Sequence, residues 1–132
     1  MVNINFNKRD PIYLQVIDHF RRKLVSDQLT LGEELPSRRE IARQLGINPN
    51  TVQRAFSEME EKRWLFTEPN RPSQVTLDPA VIAEIKQEFV QNAVKEFVAS
   101  IQTIDITYEE VVNLLAREIN NQENEDGGIQ DD

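Results

Sequence analysis

The sequence predicts a mainly α-helical chain with one small β-hairpin, and three kinds of signal carry that prediction. Helix starts are written as cap-then-proline pairs at Asp10-Pro11, Asn48-Pro49 and Asp78-Pro79, and as hydroxyl-to-glutamate boxes from Ser37 to Glu40 and from Thr107 to Glu110. The segments they open carry apolar residues at steps of three and four, the period of a helix with one buried face. Residues 64–67 (WLFT) and 74–77 (QVTL) favour strand and flank the turn-rich stretch 68–73, so they read as a hairpin with a long loop.

Each element follows from local chemistry. In the first helix Asp10 caps, Pro11 fits the first turn, and Tyr13, Val16, Ile17, Phe20, Leu24 and Val25 form the buried stripe, with Arg21 and Arg22 outside. The helix ends near Asp27, and residues 29–33 make a turn pivoting on Gly32 that can add a minor strand. Ser37 and Glu40 cap the second helix reciprocally, Ile41, Ala42 and Leu45 are its apolar side, and Gly46 stops it. Asn48-Pro49 opens a third helix that buries Val52, Ala55, Phe56 and Met59 and runs to Lys62. Trp64 plugs the hairpin root against the core. Asp78-Pro79 opens a long fourth helix, and Thr107 with Glu110 a fifth carrying Val111, Val112, Leu114, Leu115 and Ile119. The polar, acidic residues from 121 to 132 read as a disordered tail.

Composition narrows the function. The 132 residues include no cysteine and one histidine, which excludes disulfides, thiolate metal sites and thiol nucleophiles. His19 has no partner at ligand spacing, so no metal is expected. No apolar run approaches the ~20 residues of a membrane span, and the first ten residues lack the apolar core of a secretory signal. A cytoplasmic protein without a membrane partner is expected. No phosphate-cradling glycine loop or nucleophile elbow is present, no catalytic residue or cofactor is expected, and Glu58, Glu60 and Glu61 read as a solvated helix face. The net charge of −8 hides a segregation. Residues 8–76 carry twelve Lys and Arg against ten Asp and Glu, whereas residues 77–132 carry three against thirteen. The first part can present a basic face to a polyanion, and the second would be repelled by one.

Two short helices joined by a glycine corner form a helix-turn-helix, and the hairpin makes it a winged one. Ala42 is small where the helices cross, Ile47 fills their angle, and Val52 with Ala55 holds the second helix so that Asn48, Asn50, Thr51, Gln53 and Arg54 face outward. In this motif that end of the helix meets base edges in the major groove. Asn and Gln suit adenine, Arg suits guanine, and the Thr methyl suits the thymine methyl.

The run from Pro11-Ile-Tyr-Leu-Gln through Leu35-Pro-Ser-Arg-Arg-Glu-Ile-Ala to Leu45-Gly-Ile-Asn-Pro-Asn-Thr-Val-Gln-Arg-Ala-Phe56 resembles the GntR family of bacterial transcription regulators, and within it the YtrA subfamily. That resemblance implies a winged helix-turn-helix domain (residues 1–77) and a two-helix C-terminal dimerisation region (78–120) ahead of the tail. It implies a homodimer binding an inverted-repeat operator in double-stranded DNA, most often as a repressor, with room for a small-molecule effector whose pocket the sequence does not name. The family's DNA contacts fall on Arg39, Asn48, Asn50, Thr51 and Gln53, with Ser37, Arg38 and Arg54 as phosphate neighbours. The wing departs from the family pattern: its usual glycines are missing, and Arg71 stands at the tip as a charged substitute. The fourth-helix stripe Ile82, Ile85, Phe89, Ala93, Phe97 and Ile101, with Val111 and Leu115, is assigned to dimerisation, because a small domain cannot cover so broad an apolar face alone. The alternative is a winged-helix module that binds protein and not DNA, favoured by the net acidity and the departing wing.

Overall fold

A computed structural model describes residues 2–128. Five helices and one two-stranded antiparallel sheet follow in the order α1 (Ile12–Val25), α2 (Arg38–Leu45), α3 (Pro49–Glu61), β1 (Leu65–Phe66), β2 (Gln74–Val75), α4 (Pro79–Ile101) and α5 (Tyr108–Gly128). Leu65 pairs with Val75 and Phe66 with Gln74. No strand forms at residues 29–33; the expected minor strand is reduced to an isolated bridge of Glu34 with Gln74 and the hydrogen bonds beside it. Gly32 N donates to Val75 O at 3.0 Å, Val75 N to Glu33 O at 2.9 Å, and Leu35 N to Ser73 O at 2.9 Å. Glycine is required here: φ is 75°, and a Cβ would lie 2.8 Å from Leu77 Cδ2.

The chain divides into two compact units, Met1–Ala93 and Val94–Asp132. In the first, Val16, Ile17, Phe20 and Leu24 of α1 meet Ile41 and Ala42 of α2 and Val52, Ala55, Phe56 and Met59 of α3. Phe20 and Phe56 touch edge to face, 5.8 Å between centroids. Full burial of each such side chain contributes about 1.5–3 kcal/mol, so this seam outweighs any single polar contact. Trp64, Leu65 and Val75 close the core from the sheet side.

The unit reaches further along the chain than the expected boundary after residue 77. Ile85 is 3% exposed, and Val81 and Ile82 pack against the same core. Ile85 therefore belongs to the interior of its own protomer, and Ile82 is partly committed there. Phe89 is half-buried beneath the Arg22 guanidinium, 5.3 Å from the ring centroid. An unbroken apolar stripe in sequence thus serves an intramolecular purpose in its first turns.

The expected Asp10 cap is displaced. Pro11 is the cap residue of α1, and no side chain bonds to the first-turn amides. Asn7 has captured Asp10 instead: its Oδ1 accepts from Arg9 N and Asp10 N, each at 3.0 Å. Gln15 Nε2 then donates to Asp10 O at 2.8 Å and Asn7 O at 3.1 Å. The other N-termini follow expectation. Ser37 accepts from Glu40 N at 3.0 Å, Asn48 from Asn50 N at 2.8 Å and Asp78 from Ala80 N at 2.9 Å. Thr107 and Glu110 form the full reciprocal box. At Ser37 the box is half made, because the Glu40 carboxylate turns to Arg43 and Gln44.

The second unit contains the end of α4 and all of α5. Here the expected tail is corrected: α5 continues through residue 128, so residues 121–128 are helical, and 129–132 lie outside the described residues. The segment contains no proline, and Gln122, Glu123 and Glu125 favour a helix, while its asparagines, Asp126 and two glycines do not, so it continues α5 without strong propensity of its own. Gln122 Nε2 also donates one turn back to Glu118 Oε1 at 3.2 Å.

Candidate nucleic-acid interface

The interface is built by the way α2 and α3 end and begin. Gly46 adopts φ 66° and ψ 38°, and Ile47 N donates to Ala42 O at 3.1 Å. This left-handed cap reverses the chain within two residues. Asn48 then caps α3, and Pro49 occupies its first turn. Val52, Ala55, Phe56 and Met59 are each essentially fully buried, which fixes the rotation of the helix about its axis. Asn50, Gln53 and Arg54 are consequently exposed, Asn48 is exposed ahead of them, and Thr51 is half-buried at the edge.

Arg54 lays its guanidinium on the Tyr13 ring, 3.7 Å from the centroid. Ile12, Tyr13, Asn50, Thr51 and Arg54 line a shallow cavity of about 340 Å³. Three expected contact residues are thereby gathered in one place. Tyr13 is a member that the sequence reading counted only as core, since its position on the stripe does not reveal that Arg54 lies over its ring.

Arg39 is exposed on the first turn of α2 and has no carboxylate partner among the described residues. Its neighbour Arg43 is neutralised by Glu40. Hydrogen bonds from Arg43 first and Gln44 second hold that carboxyl at about 2, so the pair stays ionised at any physiological pH. Ser37 sits at the α2 cap, where free first-turn amides and the helix dipole suit a phosphate oxygen.

Arg38 differs from its neighbour. NH1 donates to Gln53 Oε1 at 2.5 Å, NH2 to Glu60 Oε1 at 2.5 Å, and the guanidinium lies 5.2 Å from the Phe56 centroid. Glu60, expected as part of a solvated face, is a junction: it also accepts from Thr67 Oγ1 at 2.8 Å. Thr67 in turn lies 2.6 Å from Ser73 Oγ. No sequence pattern pointed to this chain of contacts, because its members come from two helices and both sides of the hairpin.

The hairpin loop turns at Glu68-Pro69-Asn70-Arg71, with Arg71 N donating to Glu68 O at 3.1 Å. Asn70 takes φ 60°. Proline followed by a positive-φ residue is the pattern of a type II turn, and Asn tolerates it better than other non-glycine residues. Asn70 thus supplies the left-handed position of this turn. Arg71 is exposed at the tip and 3.7 Å from Glu68.

The amino-terminal arm is also structured. Val2 is buried, Ile4 and Phe6 pack on the core, and Val2 N donates to Gln44 Oε1 at 2.8 Å. The alternation Val2, Ile4, Phe6 is the period-two signal that marks it in the sequence.

Comparison with known proteins agrees with this architecture. The profile of the bacterial regulatory proteins of the gntR family matches residues 12–75. The uncharacterized HTH-type transcriptional regulator YhcF of Bacillus subtilis is 34% identical over 107 residues, 81% of this chain and 88% of that protein. The HTH-type transcriptional repressor YtrA of Bacillus subtilis is 27% identical over 99 residues, 74% of this chain and 76% of its own. A GntR family transcriptional regulator from Listeria monocytogenes superposes with a TM-score of 0.78 at 26% identity, covering 85% of this chain and 98% of that one. With its outward recognition helix, glycine-cornered turn and small wing, the chain belongs to the gntR family of bacterial regulatory proteins, in the YtrA-like branch.

Proposed function

We propose that this DNA-binding transcription regulator acts in the cytoplasm as a homodimeric repressor of a promoter carrying an inverted-repeat operator. One observation carries the reading: Asn48, Asn50, Gln53 and Arg54 stand exposed on an α3 whose opposite face is locked into the core, with the unpaired Arg39 beside them. Each protomer lays α3 in a major groove, and the twofold axis of the dimer sets the spacing of two half-sites. Arg39, Ser37 and Arg54 reach phosphates and the groove edge, while Asn48, Asn50, Thr51 and Gln53 address bases. The acidic residues after 77 would be repelled by the polyanion, whereas the near-neutral first part can approach it. The repressor name of the YtrA relative supports repression as the outcome.

Dimerisation belongs to the apolar residues that remain open after the fold is complete. Ala93, Val94, Phe97 and Val98 of α4 and Leu115 of α5 are exposed, and Ile101 and Val111 are half-covered. A groove of about 970 Å³ between the end of α1 and the start of α4 has Leu24, Leu29, Leu31, Ile82 and Val90 in its walls. A small apolar effector seated there would bear directly on the root of α4.

The test is a gel shift on a promoter-proximal inverted repeat at two salt concentrations. Binding should weaken with salt, because each neutralised phosphate releases counterions. Arg39→Ala should lower affinity for every sequence, and Gln53→Ala should relax sequence preference, costing about 1–3 kcal/mol on the operator alone. A protein-only module would show neither the shift nor that difference between variants.

A further inference from the structure

We propose that Arg38 is a positioning residue that decides which bases Gln53 reads. The proposal rests on the DNA-binding reading above and deepens it at one position of the recognition helix.

A glutamine side chain offers a carbonyl acceptor at one end and two N–H donors at the other. Its pairing with adenine uses both ends, the oxygen accepting from N6 and the nitrogen donating to N7. In this protein one lone pair of the oxygen is already taken, because Oε1 accepts from Arg38 NH1 at 2.5 Å. A guanidinium cation at that end opposes the approach of any amino group, whether N6 of adenine or N4 of cytosine. The nitrogen end is different. Nε2 makes one long bond to Ser57 Oγ at 3.3 Å along the helix, which leaves a second N–H for a ligand. Gln53 is therefore presented as a donor. The bases whose major-groove edge offers acceptors without an amino group are guanine, through N7 and O6, and thymine, through O4.

Arg38 is held in place from behind. Its NH2 donates to Glu60 Oε1 at 2.5 Å, and its guanidinium carbon lies 5.2 Å from the centroid of the buried Phe56 ring. Glu60 Oε1 is the acceptor of the Thr67 hydroxyl at 2.8 Å. Thr67 has one hydroxyl hydrogen, so with that donated to Glu60 it accepts from the buried Ser73 hydroxyl at 2.6 Å. Swinging Arg38 out to a phosphate would strip Glu60 of its cation and break a line of contacts that runs from α3 to the wing. The side chain thus acts through Gln53 rather than on DNA.

The experiment is selection from a random duplex pool with the full chain as wild type, Gln53→Ala, Arg38→Met and the double variant. Melts followed by the fluorescence of the single tryptophan confirm folding. Gln53→Ala identifies the base-pair column it reads by flattening that column in each half-site. In the wild type that column should favour guanine or thymine over adenine and cytosine on the contacted strand by about tenfold. Arg38→Met keeps the stem length and the packing on Phe56 but removes the donors. It should raise adenine in that column to near parity with guanine while the other columns persist, and the double variant should match Gln53→Ala. An Arg38→Met column identical to wild type overturns the proposal, as does a Gln53→Ala profile with no altered column. A wild-type column dominated by adenine overturns it without recourse to any Arg38 variant. A wild type that selects no sequence removes the DNA-binding reading itself, and this proposal with it.

Discussion

At Arg63 the chain leaves α3 with φ 68°, while Trp64 N donates to Met59 O at 2.9 Å and Arg63 N to Glu60 O at 3.0 Å. This is a Schellman cap, and its left-handed position normally belongs to glycine. A side chain there costs about 1–2 kcal/mol of backbone strain, partly offset by the extra chain entropy that glycine brings. Arg63→Gly should therefore raise stability by about 1 kcal/mol and Tm by roughly 4 °C, read from Trp64 fluorescence. Gly46→Ala supplies the opposite sign at the matching cap of α2. No atom lies within 4 Å of the added Cβ, so the expected loss of about 1 kcal/mol is conformational alone. A second residue-scale prediction concerns His19. Its Nε2 is buried without a partner, in a polar pocket shared with Asp10, Asp18 and Arg22. Burial first and Lys23 second push its pKa below the ordinary 6.5, with Asp18 opposing. The unfolded chain then takes up a proton before the folded one does, so this contribution to stability is complete above the ordinary value and declines as pH falls through it. His19 is the only histidine, so the denaturation midpoint should drop between pH 7.5 and pH 5, and His19→Asn should flatten that slope. A wild type that gains stability on acidification would contradict the assignment.

Among the elements, the wing is where physical chemistry and family pattern part company. Its strands are only two residues each, and the tip turns on Pro69-Asn70 where glycine would be usual. The exposed Arg71–Glu68 pair at 3.7 Å contributes little, so Arg71 can exchange that partner for a phosphate at small cost. Arg71→Ala should weaken DNA binding uniformly across sequences and reduce the salt slope by about one. An unchanged slope would mean that the wing stays clear of the duplex. The same element shows what sequence can and cannot disclose. Gly46, Asn48-Pro49 and the α3 stripe are local codes, in which three or four neighbouring residues decide the backbone, and they placed the helix-turn-helix and its exposed ridge correctly. The Arg38–Glu60–Thr67–Ser73 line joins residues as far apart as 35 positions, and nothing short-range distinguishes Glu60 from Glu58 or Glu61. Asp10 failed as a cap for a related reason, since Asn7 and Gln15 compete for the same backbone. The amino-terminal arm carries an alternation at Val2, Ile4 and Phe6 that the sequence reading passed over. Its anchor, Gln44, lies 42 residues away and has no local signal at all.

For the molecule as a whole, the decisive question is what covers the second unit. Phe97 remains 37% exposed, Val98 51% and Leu115 44% after all described residues have folded. Apolar area of this kind, left open among the described residues, is the face that the proposed dimer would bury. In the proposed dimer a second copy would cover it, supplying two reading helices for two half-sites and making the second engagement intramolecular. Phe97→Glu places a charge on the exposed stripe without touching the core of the first unit, where Val16, Phe20 and Phe56 lie. It should therefore leave the first unit folded, with Trp64 fluorescence unchanged, while shifting sedimentation from dimer to monomer. Operator affinity should fall at least tenfold as the effective concentration of the second reader is lost, yet the half-site preference set by α3 should persist in any residual binding. Leu115→Glu should reproduce both effects if α5 shares the interface. A wild-type chain that sediments as a monomer at operator-binding concentrations would detach the exposed stripe from DNA recognition altogether, since each reading helix would then act alone and no twofold spacing would be imposed on the sites it selects.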